Sequence, residues 1–313
     1  LESVPQLMDG AEKGNYSVDV VPGITAGAFS FNVTAEDLEK RKVFNDIRFR
    51  QAMSLAINRA EINDVVFYGM GKAQQYVGFS PVPDFVDPKW LNYMIKYDPA
   101  KANSLLDAVG MADRDGDGFR KLPNGDALAL NIGFATQGIG VGEVELVARS
   151  WNEVGIKTNF KEVTPDEYRS AQSANKLDVA VWIKGQPIAI VLGTNEMFVP
   201  PYENYFGHRN AMLWAEYIDS NGSSGVKPPA FAMEMIEDIN AFQSLVAGTD
   251  ESNKRGANLV KNLTGNLLFI GTVKAPYPVF HRNALKNFTK FKTASYEYYR
   301  TYPYRPQQWF ISE

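Results

Sequence analysis

The sequence predicts an α/β fold. Strand-like and helix-like segments alternate along the chain, apolar periods of about two and about 3.6 residues take turns, and helix-capping residues stand at the joins. Residues 26–33 (AGAFSFNV) open the series as a strand. A helix begins near Asn45-Asp46-Ile47, with Ile47, Ala52, Met53, Ala56 and Ile57 close to helical spacing. A shorter helix carries Ile62, Val65 and Val66 and stops at Gly69, and residues 78–90, rich in Pro and aromatics, read as an ordered loop. Asp98-Pro99 supplies an N-cap followed by Pro at the first helical position; Leu105, Leu106 and Val109 face inward, and Gly110 closes the helix. Residues 127–134 predict a strand. The next helix runs from about Gly142 to Val154, with Val144, Val147, Ala148 and Trp151 on one face. Ile156, Thr158 and Phe160 alternate as a strand, Thr164 and Glu167 form a capping box, and residues 178–183 (DVAVWI) are a buried strand. Residues 220–229 (SNGSSGVKPP) read as a flexible joint. Beyond it come a helix with Met235, Ile239, Phe242 and Val246 on one face, a helix with Leu259, Val260 and Leu263, and a strand at 268–273.

A chain of 313 residues can bury a sizeable core and is long enough for roughly two domains. Its net charge of −4 offers no basic surface to neutralise a phosphate backbone, so nucleic acid is a poor partner. The absence of Cys excludes disulfides, thiolate metal sites and a Cys nucleophile. No apolar run approaches the ~20 residues a membrane helix needs. The start, Leu1-Glu2-Ser3-Val4-Pro5, has neither Met nor a charged-then-apolar leader, which suggests that the sequence begins inside a longer protein.

Catalytic signatures do not assemble. Gly69-Met70-Gly71 lacks the third Gly of a dinucleotide loop, Gly71-Lys72-Ala73 lacks the Ser or Thr of a P-loop, and His208 and His281 stand alone. A hydrolytic enzyme with an unrecognised acid pair remains the alternative reading. Asp113, Asp115 and Asp117 with Gly118 match the first half of a calcium loop, but Asn124 stands where a bidentate Glu is needed; the competing reading is an Asp/Gly hairpin that bonds its own backbone. Trp182 ends a buried strand, where α/β sheets place ligands, and Ile183-Lys184-Gly185-Gln186-Pro187 follows it. Its ring could stack on a sugar or peptide side chain, or could simply fill the core. Tyr202, Tyr205 and Trp214 lie in an aromatic stretch that is either cleft wall or packing. The tail, with Tyr296, Tyr298, Tyr299, Tyr302, Tyr304 and Trp309 around Arg300 and Arg305, reads as a docked tail.

In order, these segments resemble the family 5 extracellular solute-binding proteins of the dipeptide/oligopeptide-binding type. The residues that carry the resemblance are FNDIRFRQAMSLAINRAEINDVVFYGMG (44–71), YDPAKANSLLDAVGMADRDGDGFR (97–120), WNEVGIKTNF (151–160) and LDVAVW (177–182). The resemblance implies a periplasmic-binding-protein type II-like lobe, domain III, at residues 43–275. It implies closing segments of domain I at residues 1–42 and 276–313, no cofactor, and no chemistry. It further implies an extracytoplasmic receptor that hands a solute to an ABC permease in the membrane. Peptide binders of this type commonly carry an Asp shortly after the position of Trp182, to pair with the peptide amine. Here residues 183–187 contain no acid, and a buried ammonium without a partner is costly. The expected ligand is therefore an oligosaccharide ahead of an oligopeptide, held by Trp182, Lys184, Gln186, Asn195, Tyr202 and Tyr205.

Overall fold

The computed structural model describes residues 3–202, 209–290 and 305–312, with the side chains of residues 24–26, 183 and 184 outside that description. Two short helices, α1 (Val4–Asp9) and α2 (Ala11–Gly14), lead into one long strand, β1 (Tyr16–Phe31). Helices α3 (Leu38–Asn45), α4 (Ile47–Ala56) and α5 (Arg59–Phe67) come next. Each starts where a side chain takes up orphan amides: Asp37, Asp46 and Asn58 accept from the first turn. After β2 (Lys72–Ala73) and α6 (Pro88–Leu91), α7 (Pro99–Val109) is bounded as the sequence suggests, by Asp98 at one end and a left-handed Gly110 at the other.

The alternating unit then follows as β3 (Leu130–Phe134), α8 (Val141–Glu153), β4 (Thr158–Glu162), α9 (Pro165–Ser173) and β5 (Val179–Lys184), with the Thr164–Glu167 capping box in place. Four helices complete the chain's helical layers: α10 (Ile188–Val191), α11 (Met212–Asp219), α12 (Ala230–Ser244) and α13 (Asp250–Gly265). The return strands are β6 (Ile270–Gly271), β7 (Val273–Arg282), β8 (Leu285–Lys286) and β9 (Phe310–Ile311).

Among the described residues the main sheet runs β2-β7-β1-β5-β3-β4, with β6 also paired to β1. Strands β3, β4 and β5 are mutually parallel, and β1 is antiparallel to β5 and β7. The first strand is much longer than its sequence signal because it serves two structures. From Tyr16 to Pro22 it pairs with β7, Tyr16 opposite Arg282 and Pro22 opposite Pro276. From Ala28 to Phe31 it lies inside the sheet, Ala28 opposite Trp182 and Phe31 opposite Val179. The register shifts on both ladders between Pro22 and Ala28, so the ribbon turns into the sheet at that point.

Alternation along β1 sorts the core. Phe29 and Phe31 face a cluster built with α4, α5, α7 and α8, in which Trp151 donates its indole N–H to the Met53 carbonyl at 3.0 Å. Ala28 faces the second cluster, formed with the 76–86 loop, α11, α12 and α13. The sheet is thus covered on both faces, as parallel strands require. Some apolar positions read as inward are not: Val65, Phe160 and Val246 are exposed. Val246 falls beyond the end of α12, so the helical stripe does not reach it. The 220–229 joint is tied down by Gly222 N–H to the Tyr217 carbonyl at 2.8 Å and Val226 N–H to the Leu213 carbonyl at 2.8 Å.

Candidate functional site

Strand order decides where a ligand can enter. From β3 the chain passes through α8 to β4 on one side; from β4 it passes through α9 to β5 on the other side of β3. The loops that leave the carboxyl ends of β3 and β5 therefore part company, the kind of place where α/β sheets take ligands. Trp182 and Gly138 meet there. A Cβ on Gly138 would lie 2.3 Å from Trp182 Cε3, so only glycine lets the post-β3 loop close onto the indole. Tyr168 of α9 lies against the same ring, centroids 5.4 Å apart, and its hydroxyl bridges the Val181 carbonyl and amide at 2.9 Å each. Trp182 is half-buried: held on its flanks, not sealed in.

Gly185 then takes φ +142°, a conformation that suits only glycine, and turns the chain toward the 78–81 loop. Gln186 is clamped there. Its amide donates to the Gly78 carbonyl at 3.1 Å, and its carbonyl accepts from Ser80 N–H at 2.9 Å. The Gln186 Oε1 and the neighbouring Ser80 Oγ are buried without hydrogen-bond partners among the described residues. Across the same edge, Thr136 Oγ1 donates to Glu162 Oε1 at 2.9 Å. The edge thus carries an aromatic face, the exposed Glu162 carboxylate with its Thr136 partner and, beneath the surface, the Gln186 amide oxygen and the Ser80 hydroxyl.

The other candidate residues separate. Asn195 is half-buried beyond α10, and its backbone carbonyl accepts from Phe198 N–H at 2.9 Å. Tyr202 is fully buried in the second core, edge-on to Trp214 at 6.1 Å, and burial pushes its phenol pKa up. Both rings are packing, not surface. The Lys184 side chain and Tyr205 lie outside the described residues, as do Tyr296, Tyr298, Tyr299, Arg300, Tyr302 and Tyr304. Asp113, Asp115 and Asp117 form a hairpin loop: Asp115 Oδ1 accepts from the amides of Asp117 at 3.0 Å and Phe119 at 2.9 Å.

A second feature lies where β1 turns from ribbon to sheet. Glu143, in the first turn of α8, is fully buried against Gly27 of β1 and Thr272 before β7. The Thr272 hydroxyl and the Gly27 amide both donate to its carboxylate. Burial outweighs these bonds and raises its pKa from 4.5 to about 7. The sequence carried a signal for this residue: Glu143 falls on the inward stripe of α8, four positions before Val147.

Residues 2–189 match the model of the bacterial extracellular solute-binding proteins, family 5. The chain belongs to that family. Among the curated family 5 relatives, di/tripeptide-binding protein 3 of Pseudomonas aeruginosa is 26% identical over 171 residues, 55% of this chain and 29% of the relative. A solved oligopeptide-binding protein, OppA, superposes with a TM-score of 0.81 at 28% identity, over 99% of this chain and 50% of its own. MelB of Agrobacterium fabrum, a periplasmic binding protein solved with stachyose, superposes with a TM-score of 0.68 at 17% identity, over 90% of this chain and 43% of its own. The fold is that of a periplasmic-binding-protein lobe, and the chain spans about half the length of these solved proteins and less than a third of the curated relative. No helix among the described residues is long and apolar enough to cross a membrane.

The sequence offers Trp182 and Gln186 as candidates but gives little sign of what holds them. Gly138 and Tyr168 reach Trp182, and the 78–80 loop reaches Gln186, only through the fold. Gly138 in a Gly-Ile-Gly stretch was the one visible hint.

Proposed function

We propose that this chain is the distal lobe, with the crossing strands, of an extracytoplasmic receptor that captures a solute by closure against a second lobe and delivers it to an ABC permease. On this reading residues 43–275 form domain III. Residues 1–42 and 276–313 belong to domain I, and β1 and β7 make the passage between them. The observation that carries the reading is the half-buried Trp182 at the carboxyl edge of β5, braced by Gly138 and Tyr168 beside the bend of β1. An aromatic face at a sheet edge next to a two-strand crossing is what a closing cleft needs from one of its walls.

An oligosaccharide is favoured over an oligopeptide as the solute. Residues 183–187 supply no carboxylate for a peptide amine, the Glu162 carboxylate at this edge is already hydrogen-bonded by Thr136, and the half-buried Trp182 ring suits stacking on a sugar. The solute is enclosed without chemistry. Thermal-shift screening of oligosaccharide and oligopeptide libraries tests the ranking, because a ligand that binds only the folded state raises its stability. A shift with sugars is expected; a shift with peptides and none with sugars reverses the ranking. Turnover of a glycoside or peptide at an enzyme-like rate overturns the receptor reading.

A further inference from the structure

A pocket of about 350 Å³ is lined by residues of β1, β2 and β7. Its lining includes Lys72, Gln74 and Lys274, with Val21, Met70 and Pro276 around them. Lys72 of β2 and Lys274 of β7 are directly opposite each other in an antiparallel ladder, so both side chains leave the same face of the sheet. Like charges so placed repel, and such a pair is destabilising unless something neutralises it. Among the described residues nothing does: neither lysine forms an ion pair, although Lys40, Lys89, Lys176 and Lys290 all do. Gln74, 6% exposed, also lines the pocket, and its backbone N–H donates to the Thr272 carbonyl at 3.2 Å.

We infer that this pocket is an anion site, built to take a small oxyanion of the carboxylate or phosphate type between Lys72 and Lys274, with the Gln74 amide as a third donor. The geometry sets out the recognition. Two ammonium groups on one sheet face give charge-assisted hydrogen bonds, and the half-buried position of Lys274 reduces the screening that weakens such bonds at an open surface. Partial burial and the neighbouring Lys72 both hold the Lys274 pKa below its ordinary value. The charge of a bound anion opposes both effects, so binding and protonation of Lys274 reinforce each other. The inference does not depend on which solute occupies the Trp182 edge.

The test is thermal unfolding of the chain with inorganic phosphate, acetate or chloride at matched ionic strength, repeated for K72M, K274M and K72E. Phosphate and acetate are expected to raise the Tm more than chloride does. Each Met variant should weaken their binding about tenfold or more, the order expected for loss of one hydrogen bond to a charged group. Lys72 is exposed, so K72M keeps the test open if K274M folds poorly. K72E places a carboxylate opposite Lys274; it should raise the Tm in anion-free buffer and abolish the response to phosphate and acetate. A wild-type Tm that responds to phosphate and acetate no more than to chloride overturns the inference, and so does a response that survives in K72M.

Discussion

Replacing Glu143 by Gln tests the buried carboxyl where β1 turns from ribbon to sheet. With a pKa of about 7 in the folded chain and an ordinary value of 4.5 unfolded, the folded state holds a proton that the unfolded state has released between those two limits. Stability therefore falls as pH rises through that window, and the loss is complete above pH 7. A shift of this size corresponds to about 3 kcal/mol, at 1.36 kcal/mol per pKa unit. Glutamine keeps the shape and the acceptor for the Thr272 hydroxyl but has no charge to bury. Urea unfolding of both proteins at pH 5, 6, 7 and 8 measures the difference. Near pH 5 the two should be of similar stability; by pH 8 the Gln variant should be the more stable, by roughly 3 kcal/mol. A gap that is constant from pH 5 to pH 8, of either sign, would refute the assignment of a raised pKa to Glu143.

Three further substitutions probe the parts that position the site. Gly138→Ala pushes a methyl into the Trp182 ring and should cost about 1–3 kcal/mol, with a change in indole fluorescence in the folded state. Arg120→Met removes a buried guanidinium that donates to the Val154 carbonyl at 2.9 Å, the Met111 carbonyl at 2.6 Å and Asp107 at 2.6 Å; leaving these acceptors bare should cost roughly 3 kcal/mol or more in urea unfolding. Thr164→Ala breaks the capping box of α9 and should cost about 1 kcal/mol, which a circular-dichroism melt will resolve.

Local signals fixed most of the fold's elements, and long-range pairing fixed the rest. The caps at Asp98 and Thr164, the Gly110 stop and the inward face of α8 could all be read because each depends on residues within one or two turns. The length of β1 could not, because Tyr16–Pro22 is a strand only through β7, more than 250 residues away in sequence at the Tyr16–Arg282 pair. Trp182 was legible as the aromatic residue near the end of a buried strand. Tyr202 looked similar in composition but lies in the core, since aromatic content does not tell a wall from a filling. The Lys72–Lys274 pair gave no sequence signal at all: two lysines become neighbours only through the register of β2 on β7.

The central claim is that the β5 edge is a solute-binding wall with Trp182 as its aromatic face. Isothermal titration of the wild-type protein and the Trp182→Ala variant, with the best oligosaccharide from the thermal-shift screen, tests it most directly. The account predicts binding by the wild type that weakens at least about tenfold in the variant, the loss expected when a stacked aromatic is removed. The ring also packs on Gly138 and Tyr168, so the variant should lose some stability, and circular dichroism at the titration temperature checks that both proteins are folded. Equal affinity in the two proteins would contradict the claim and place the solute elsewhere on the molecule.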